Sequence, residues 1–404
     1  MQRDHPDLVS RNDAVDRVLS LRNAFLAERD IITVSLDNIS GYVLAEDIIA
    51  TSDNPPHSYA TMDGYAFDAT QEYPFTIVDR SVFPEDEPDP IAPDEAIPIS
   101  TGAPLPPGAN AVLKREDATV AEGTLSGISL APGNYTYEQG SNIQKGERLF
   151  QAGERLSPKD ALLLGDLGYD TISVYQPFSV ALLATGTEIH EGRMRDLDSP
   201  MLAGLIRSWG HTVTFEGTVP DDEQTVTDRI DELASTYDVV VTTGGTSVGK
   251  KDYVLNALSS LGSIDFHRVT IRPGKPIAFA TLAEHDSVGI AIPGKPVGAH
   301  IVTILVARPF FCGPAALPTI SATMERRIDL GTSGFEYVIP VTLEADTAMP
   351  LGHVDSSLSV YQETFNPSVL SSSTRASRAD GFVITESPID EGEAVEVTPY
   401  IALE

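Results

Sequence analysis

The sequence predicts a multidomain α/β protein in which one layered α/β domain is joined to smaller, β-rich domains. Three observations carry this. From residue 178 on, near-continuous apolar runs alternate with helix-periodic segments, the pattern of a parallel sheet covered on both faces. Between 53 and 142, short strand-like runs alternate with Pro/Gly turns, as in a small inserted β domain. After "CGPAALP" the helical period is lost and "GFEYVIPVTLEA", "SLSVYQET", "GFVITE" and "EAVEVTPYI" follow as strands of a C-terminal β module.

Taken in order, residues 8–29 place Val15, Val18, Leu19, Ala24 and Phe25 at helical spacing, predicting an amphipathic helix. Residues 1–52 together with 143–175 read as a linking domain, because "LSPKDALLLGDLGYDTISVYQ" supplies a helix and a strand that return to where the chain began. Residues 53–142 are the inserted β domain. It carries "TMDGYAFD", where Asp63-Gly64 reads as a turn, and "ISTGAPLP", where Thr101-Gly102 reads the same way. The α/β domain spans 176–313. Its strands are "FSVALLATG", "TVTFEGTV", "DVVVTT" and "SVGIAIPG". Its helices are "DSPMLAGLIRSWGH", with Ser199 as N-cap and Pro200 in the first turn, then "EQTVTDRIDELASTY", "DYVLNALSSLG" and "PVGAHIVTILVARPFF". Residues 314–404 hold the C-terminal strands.

A chain of 404 residues with 41% hydrophobic and 7% aromatic residues is globular in composition. The apolar run "HIVTILVARPFF" is broken by Arg308 and Pro309 and is too short to span a bilayer. The N-terminus has no apolar core of a signal peptide, so a soluble, cytoplasmic protein is expected. The single cysteine, Cys312, excludes a disulfide framework or a cysteine-based zinc cluster within one chain. The net charge of -32, from 59 acidic against 27 basic residues, repels nucleic acid and anionic membranes. The basic residues are 20 Arg and only 7 Lys. Such an acid-rich, lysine-poor surface suits a halophile's cytosol, where the Debye length falls to about 3 Å at molar salt.

Four of those seven lysines, Lys250, Lys251, Lys275 and Lys295, lie in or beside three glycine-rich loops, "GGTSVGKK", "RPGKP" and "IPGKP". The first resembles a P-loop, but Lys251 stands where a P-loop needs Ser or Thr for Mg²⁺, and Asp252 follows. What remains is an anion-holding loop built from Gly244, Gly245, Thr246, Ser247 and Gly249 near a helix N-terminus. Gly274 and Lys275 of the second loop, and Pro293, Gly294, Lys295 and Pro296 of the third, extend the same candidate site. Ligands of such sheets sit beyond the strand C-termini. Glu188, Asp221 and Asp252 each follow a strand end, so carboxylates able to hold Mg²⁺ face loops able to hold phosphate or another oxyanion. Asp252 reads equally as a helix cap.

The ordered set "TMDGYA", "STGAP", "TGTE", "TTGGTSVGKKDY", "RPGKP" and "PGKPV" resembles the MoeA/gephyrin-E family of molybdopterin molybdenumtransferases. The resemblance covers essentially the whole chain. It implies a MogA-like, three-layer molybdopterin-binding domain, a C-terminal β-barrel, and an elongated homodimer with its active cleft between subunits. The implied reaction is Mg²⁺-dependent insertion of molybdate, or tungstate, into adenylylated molybdopterin with release of AMP. Contact with the molybdopterin adenylyltransferase is a further implied partnership, and a non-catalytic molybdopterin carrier is the alternative role. By motif, Asp63, Glu188, Asp221 and Asp252 are the acidic set for Mg²⁺, and Thr101 lines the cleft. Arg268, Arg272 and Lys275 face phosphate or molybdate. The chain departs from the family pattern at Lys295 and Gly298 of "PGKPVGA", in the linker "GSNIQKGERLF", and at Tyr337 of "FEYV".

Overall fold

Two compact units result from these patterns. The computed structural model describes residues 8–245, 252–314, 316–351, 360–361 and 363–404. One unit comprises Glu46–Ala152 and Ala161–Asp170. Its main element is a six-stranded sheet in which Gly64–Phe67 lies between Ala111–Lys114 and Glu95–Ile99, antiparallel to both. Side chains alternate between two cores. Ala66, Ile97, Ile99 and Val112 fill one, while Phe67, Phe75, Ala96 and Leu113 fill the other. Gly64 begins its strand so close to the neighbouring one that a Cβ would lie 2.0 Å from the Leu113 carbonyl oxygen. Only glycine fits after Asp63.

The other unit comprises Met1–Ala45, Gly153–Asp160 and Thr171–Glu404. Its α/β domain runs β1 (Ser179–Thr185), α1 (Thr187–His190), α2 (Asp198–Ser208), β2 (Thr212–Val219), α3 (Glu223–Ala234), β3 (Val239–Thr243), α4 (Tyr253–Leu261), β4 (Ser263–His267), β5 (Ala278–Leu282), β6 (Ser287–Ile292), α5 (Pro296–Val302) and α6 (Arg308–Cys312). The sheet order is β2-β1-β3-β6-β5-β4. The first four strands are parallel, but β5 is antiparallel to both β6 and β4. The sequence reading anticipated the four parallel strands and missed the β4–β5 pair. Strand β4 is a half-buried edge, so it lacks the continuous apolar run that marks the central strands.

Both faces of this sheet are covered. Val180 and Leu182 of β1 point into one core with α2, α5 and α6, and Ala181 and Leu183 point into the other with α3 and α4. The helix over residues 8–29 forms as Arg11–Ala27, capped by the Ser10 hydroxyl, and packs on α6. Helix α2 starts at Asp198, and it is Asp196 rather than Ser199 whose carboxylate accepts from the first turn, from the N–H groups of Asp198 and Ser199 at 3.0 Å each.

The C-terminal module is a closed five-stranded β-barrel: β7 (Ile320–Met324), β8 (Glu336–Glu344), β9 (Thr347–Pro350), then, after a short helix α7 (Pro367–Leu370), β10 (Gly381–Thr385) and β11 (Ala394–Pro399). The order β8-β9-β7-β11-β10 closes by pairing β10 with β8. Ile271–Arg272, just before "PGKP", pairs in parallel with Glu336–Tyr337 of β8 and so ties that loop to the barrel. Tyr337 is buried, and its hydroxyl donates to the Thr332 carbonyl at 2.9 Å.

His211 joins three parts of this unit. Its Nδ1 accepts from the Phe178 N–H at 3.0 Å and its Nε2 lies 3.1 Å from the Phe311 carbonyl, so the neutral Nε2–H tautomer satisfies both. Burial pushes its pKa down to about 4. A histidine held neutral on folding stabilises the fold above its unfolded value of about 6.5, and that stability is lost as pH falls toward the folded value. Between neutral pH and about pH 5 the loss is on the order of 2 kcal/mol. Denaturant titrations across this range should show the wild type losing that much more stability than His211→Gln. Parallel pH profiles would rule His211 out.

Candidate functional site

The register of the parallel strands brings their C-terminal ends to one sheet edge, and a cleft of about 650 Å³ opens there. Thr185 and Gly186 close β1, while Thr243, Gly244 and Gly245 close β3; Pro293, Gly294 and Lys295 follow β6. The loop Ile271–Pro276 forms one wall, and Pro367, Ser368 and Ser371 come from the helix α7 region of the C-terminal module. Gly244 has φ +85°, and a Cβ there would lie 2.7 Å from the Thr185 carbonyl oxygen. A Cβ on Gly294 would lie 3.1 Å from Gly244 Cα. The two glycine loops therefore touch backbone to backbone, an approach that only residues without a Cβ allow.

The cleft mixes charges. Arg272, Lys275 and Lys295 supply cations, and Glu188, Asp221 and Asp198 supply carboxyl groups. The Arg272 guanidinium sits 3.9 Å from the Phe335 ring centre and the Lys275 ammonium 5.5 Å from it, so one aromatic face steadies both. Burial, then the neighbouring Arg268 and Arg272 charges, hold the Lys275 ammonium below its ordinary pKa. Asp221 is oriented by a reciprocal pair: its N–H donates to Thr187 Oγ1 at 3.0 Å, and the Thr187 N–H points to its carboxylate at 3.4 Å. Asp198 is buried at 6% exposure, and desolvation, then the charge of Asp196, push its pKa up to about 6.

Of the residues expected from sequence, Glu188, Asp221, Gly244, Gly245, Arg272, Gly274, Lys275, Pro293, Gly294 and Lys295 all line this one cleft. Thr246, Ser247 and Gly249 lie outside the described residues, as do Lys250 and Lys251. Pro296 sits in the first turn of α5. Asp252 occupies the N-cap position of α4, but its side chain makes no capping hydrogen bond. Arg268 is buried at 8% exposure with φ +73° and lies outside the cleft lining; its charge reaches the site through Lys275.

Asp63 and Thr101 belong to the other unit, where they form a pair. The Thr101 N–H and hydroxyl donate to one Asp63 oxygen at 2.7 and 2.8 Å. The two motifs read separately as turns are thus one feature, delivered by the pairing of Gly64 with Ile99. The Thr101 N–H, then its hydroxyl, hold the Asp63 carboxyl below its ordinary pKa.

Sequence reasoning missed Thr185, Thr243, Asp198, Phe335, Ser368 and Ser371. The two threonines end predicted strands beside glycine, which was a usable signal. Phe335 stands beside Tyr337 in "FEYV", a segment already noted for its departure. Nothing local in sequence marks Ser368 or Ser371, because only the return of the barrel to the α/β domain brings them to the cleft.

Comparison with known proteins agrees with this architecture. Residues 9–168 match the family model of the MoeA N-terminal region, domains I and II, and residues 181–312 match that of a probable molybdopterin binding domain. The chain is 30% identical to the molybdopterin molybdenumtransferase of Haemophilus influenzae over 292 residues, covering 68% of this chain and 71% of that one. It is also 30% identical to a putative molybdopterin biosynthesis protein of Methanocaldococcus jannaschii, covering 72% and 75% of the two chains. The crystal structure of the molybdopterin biosynthesis MoeA protein from Pyrococcus horikoshii superimposes with a TM-score of 0.69 at 28% identity, over 97% of this chain and 99% of that one. With its two family regions in order and its fold shared from end to end, this chain belongs to the MoeA family.

Proposed function

We propose that this protein is a molybdopterin molybdenumtransferase, which inserts molybdate into adenylylated molybdopterin and releases AMP. The observation that carries the reading is the cleft lined by Arg272, Lys275 and Lys295 together with Glu188 and Asp221. Molybdate is an oxyanion and the pterin carrier ends in phosphate, so both substrates are recognised by guanidinium, ammonium and loop amides. Tungstate has the same charge and shape as molybdate, and these donors bind either. The metal delivered is a substrate, so no protein thiolate is needed, consistent with a chain whose only cysteine, Cys312, is buried in the core.

Mg²⁺ is the expected cofactor. Among the described residues no three His, Cys, Asp or Glu side chains are grouped to hold a metal ion. Mg²⁺ needs less than that, since it keeps several waters and takes one or two carboxylates plus substrate phosphates. Glu188 and Asp221, both in the cleft, fit such a site, with Asp252 and Asp63 as further acids in the family pattern. When bound, Mg²⁺ offsets charge on the phosphoryl oxygens of the adenylyl phosphoanhydride. The protein's own part is to orient: Thr187 fixes Asp221, Phe335 steadies Arg272 and Lys275, and the glycine loops let backbone approach the anion.

The Asp63–Thr101 pair is read as the contribution of a second subunit, in a homodimer whose cleft is completed across the interface. A cytoplasmic location, a salt-rich cytosol and a docking contact with the adenylyltransferase complete the proposal. Among the described residues no helix is long and apolar enough to cross a membrane.

AMP release from adenylylated molybdopterin, with Mg²⁺ and high KCl, tests the reaction. Release should depend on molybdate or tungstate, and Glu188→Gln or Asp63→Asn should each slow it on the order of a hundredfold. Mixing the two variants after reversible dissociation should restore part of the rate, because mixed dimers hold one intact site. Turnover by neither oxyanion, with the pterin still bound, would make the protein a carrier; no rescue on mixing would remove the shared-cleft reading.

The charge of -32 predicts a fold that loosens as KCl falls below roughly molar concentration, because screening of acid–acid repulsion weakens. The melting temperature should therefore rise with KCl across that range. An unchanged melting temperature contradicts the salt-rich origin.

A further inference from the structure

Asp198 is an acidic cleft residue that none of the expected chemistry uses. It opens the eleven-residue helix α2, lines the cleft, and is 94% shielded, its relative exposure being 6%. Its Oδ1 is fully buried and has no hydrogen-bond partner among the described residues. The Ser199 hydroxyl beside it is also buried and unpartnered, although the backbone N–H groups of both residues are satisfied by Asp196. A buried carboxyl oxygen without a protein partner calls for an explanation, such as an ordered water, an ion or a ligand; in this case the residue also lines the cleft.

The surroundings decide the form this group takes. Asp196, two residues earlier, adds a like charge, and no ion pair to Asp198 forms among the described residues. Among the described residues, the other ionisable groups lining the cleft are Glu188, Asp221, Arg272, Lys275 and Lys295. Of the elements packed on α2, helix α5 carries His300, which is engaged with Glu404, and β2 carries Glu216, which is engaged with Arg229. A carboxylate here would be desolvated, and an arriving anion would be repelled by it. A neutral carboxyl is the reverse: its O–H is a donor.

We propose that Asp198 works as a neutral acid, donating a hydrogen bond from its carboxyl O–H to an oxygen of the tetrahedral oxyanion bound in the cleft. Anion binding is then accompanied by uptake of a proton at Asp198, with no covalent bond made or broken. The cations supply attraction, and Asp198 supplies a donor that is present only when protonated. The shift of its pKa to about 6 lies in the direction this role requires. The inference rests on the cleft being an oxyanion site, as the proposed function holds.

The test is calorimetric titration of the full-length protein with tungstate, in buffers of different ionisation enthalpy, from about pH 6 to about pH 8. Wild type should take up protons as tungstate binds, and its affinity should fall by up to about tenfold per pH unit. Asp198→Asn keeps an N–H donor of the same shape and should bind tungstate with no Asp198-linked proton uptake and a flatter pH profile. Lys275 also loses affinity for anions at high pH, so an unchanged slope in Asp198→Asn would assign the dependence to Lys275 and overturn the proposal. Wild-type binding without proton uptake would overturn it as well, whatever the stability of the variant. No tungstate binding at any pH would instead remove the oxyanion reading of the cleft on which the inference stands.

Discussion

The hydrogen bond from the Gly244 N–H to the Ile292 carbonyl, 3.0 Å long, is the point on which the site depends. It continues the β3–β6 ladder one step past Thr243 opposite Ile292 and holds the two glycine loops together where the strands end. On the other side of β3, the Thr185 hydroxyl donates to the Thr243 carbonyl at 2.9 Å, which fixes the end of β1 in the same way. Strand direction does the rest: parallel strands deliver every loop to one edge. The loop before β5 reaches that edge through a different route, by adding Ile271–Arg272 to the barrel. The cleft is therefore a junction of an α/β sheet and a β-barrel, and neither alone would complete it.

That division explains what the sequence could and could not reveal. The central strands are buried on both faces and read as apolar runs, and their loops carry glycine and lysine, so most of the cleft was legible from "GG", "PGKP" and the acids between them. The edge strand β4 was not, because a strand half-exposed to solvent has no distinctive run; β5 is buried and apolar, and its short "AFATL" went unread. Arg268 was expected to face the ligand from its place in "FHRVTIRPGKP", yet its backbone adopts φ +73° and its side chain is buried. Asp63 and Thr101 looked like separate turns, since nothing in a linear reading says that Gly64 pairs with Ile99. Asp198 was invisible for a simpler reason. In a chain with 59 acidic residues, an Asp at a helix start looks like one more surface charge.

Charge is distributed unevenly between surface and cleft. The molecule as a whole is strongly acidic, but two of its seven lysines, Lys275 and Lys295, line the cleft. Burial first, then the neighbouring charges of Arg268 and Arg272, lower the pKa of Lys275. A bound anion would relieve the mutual repulsion of these cations. On the proposed reading, the same anion would be opposed by an ionised Asp198, so cations and a neutral acid would act in one direction while Glu188 and Asp221 stay free for a cation. On the proposed function, an oxyanion would be selected against the background of an acidic protein by this local gathering of cations.

The central claim is that the junction of the glycine loops with the "RPGKP" segment is where the oxyanion sits. Anomalous diffraction from crystals grown with tungstate locates the heavy atom directly. One dominant peak is expected in the cleft, within hydrogen-bonding reach of Arg272 or Lys275 and of the loop at Gly294. A dominant peak elsewhere on the molecule, with the cleft empty at saturating tungstate, would contradict it.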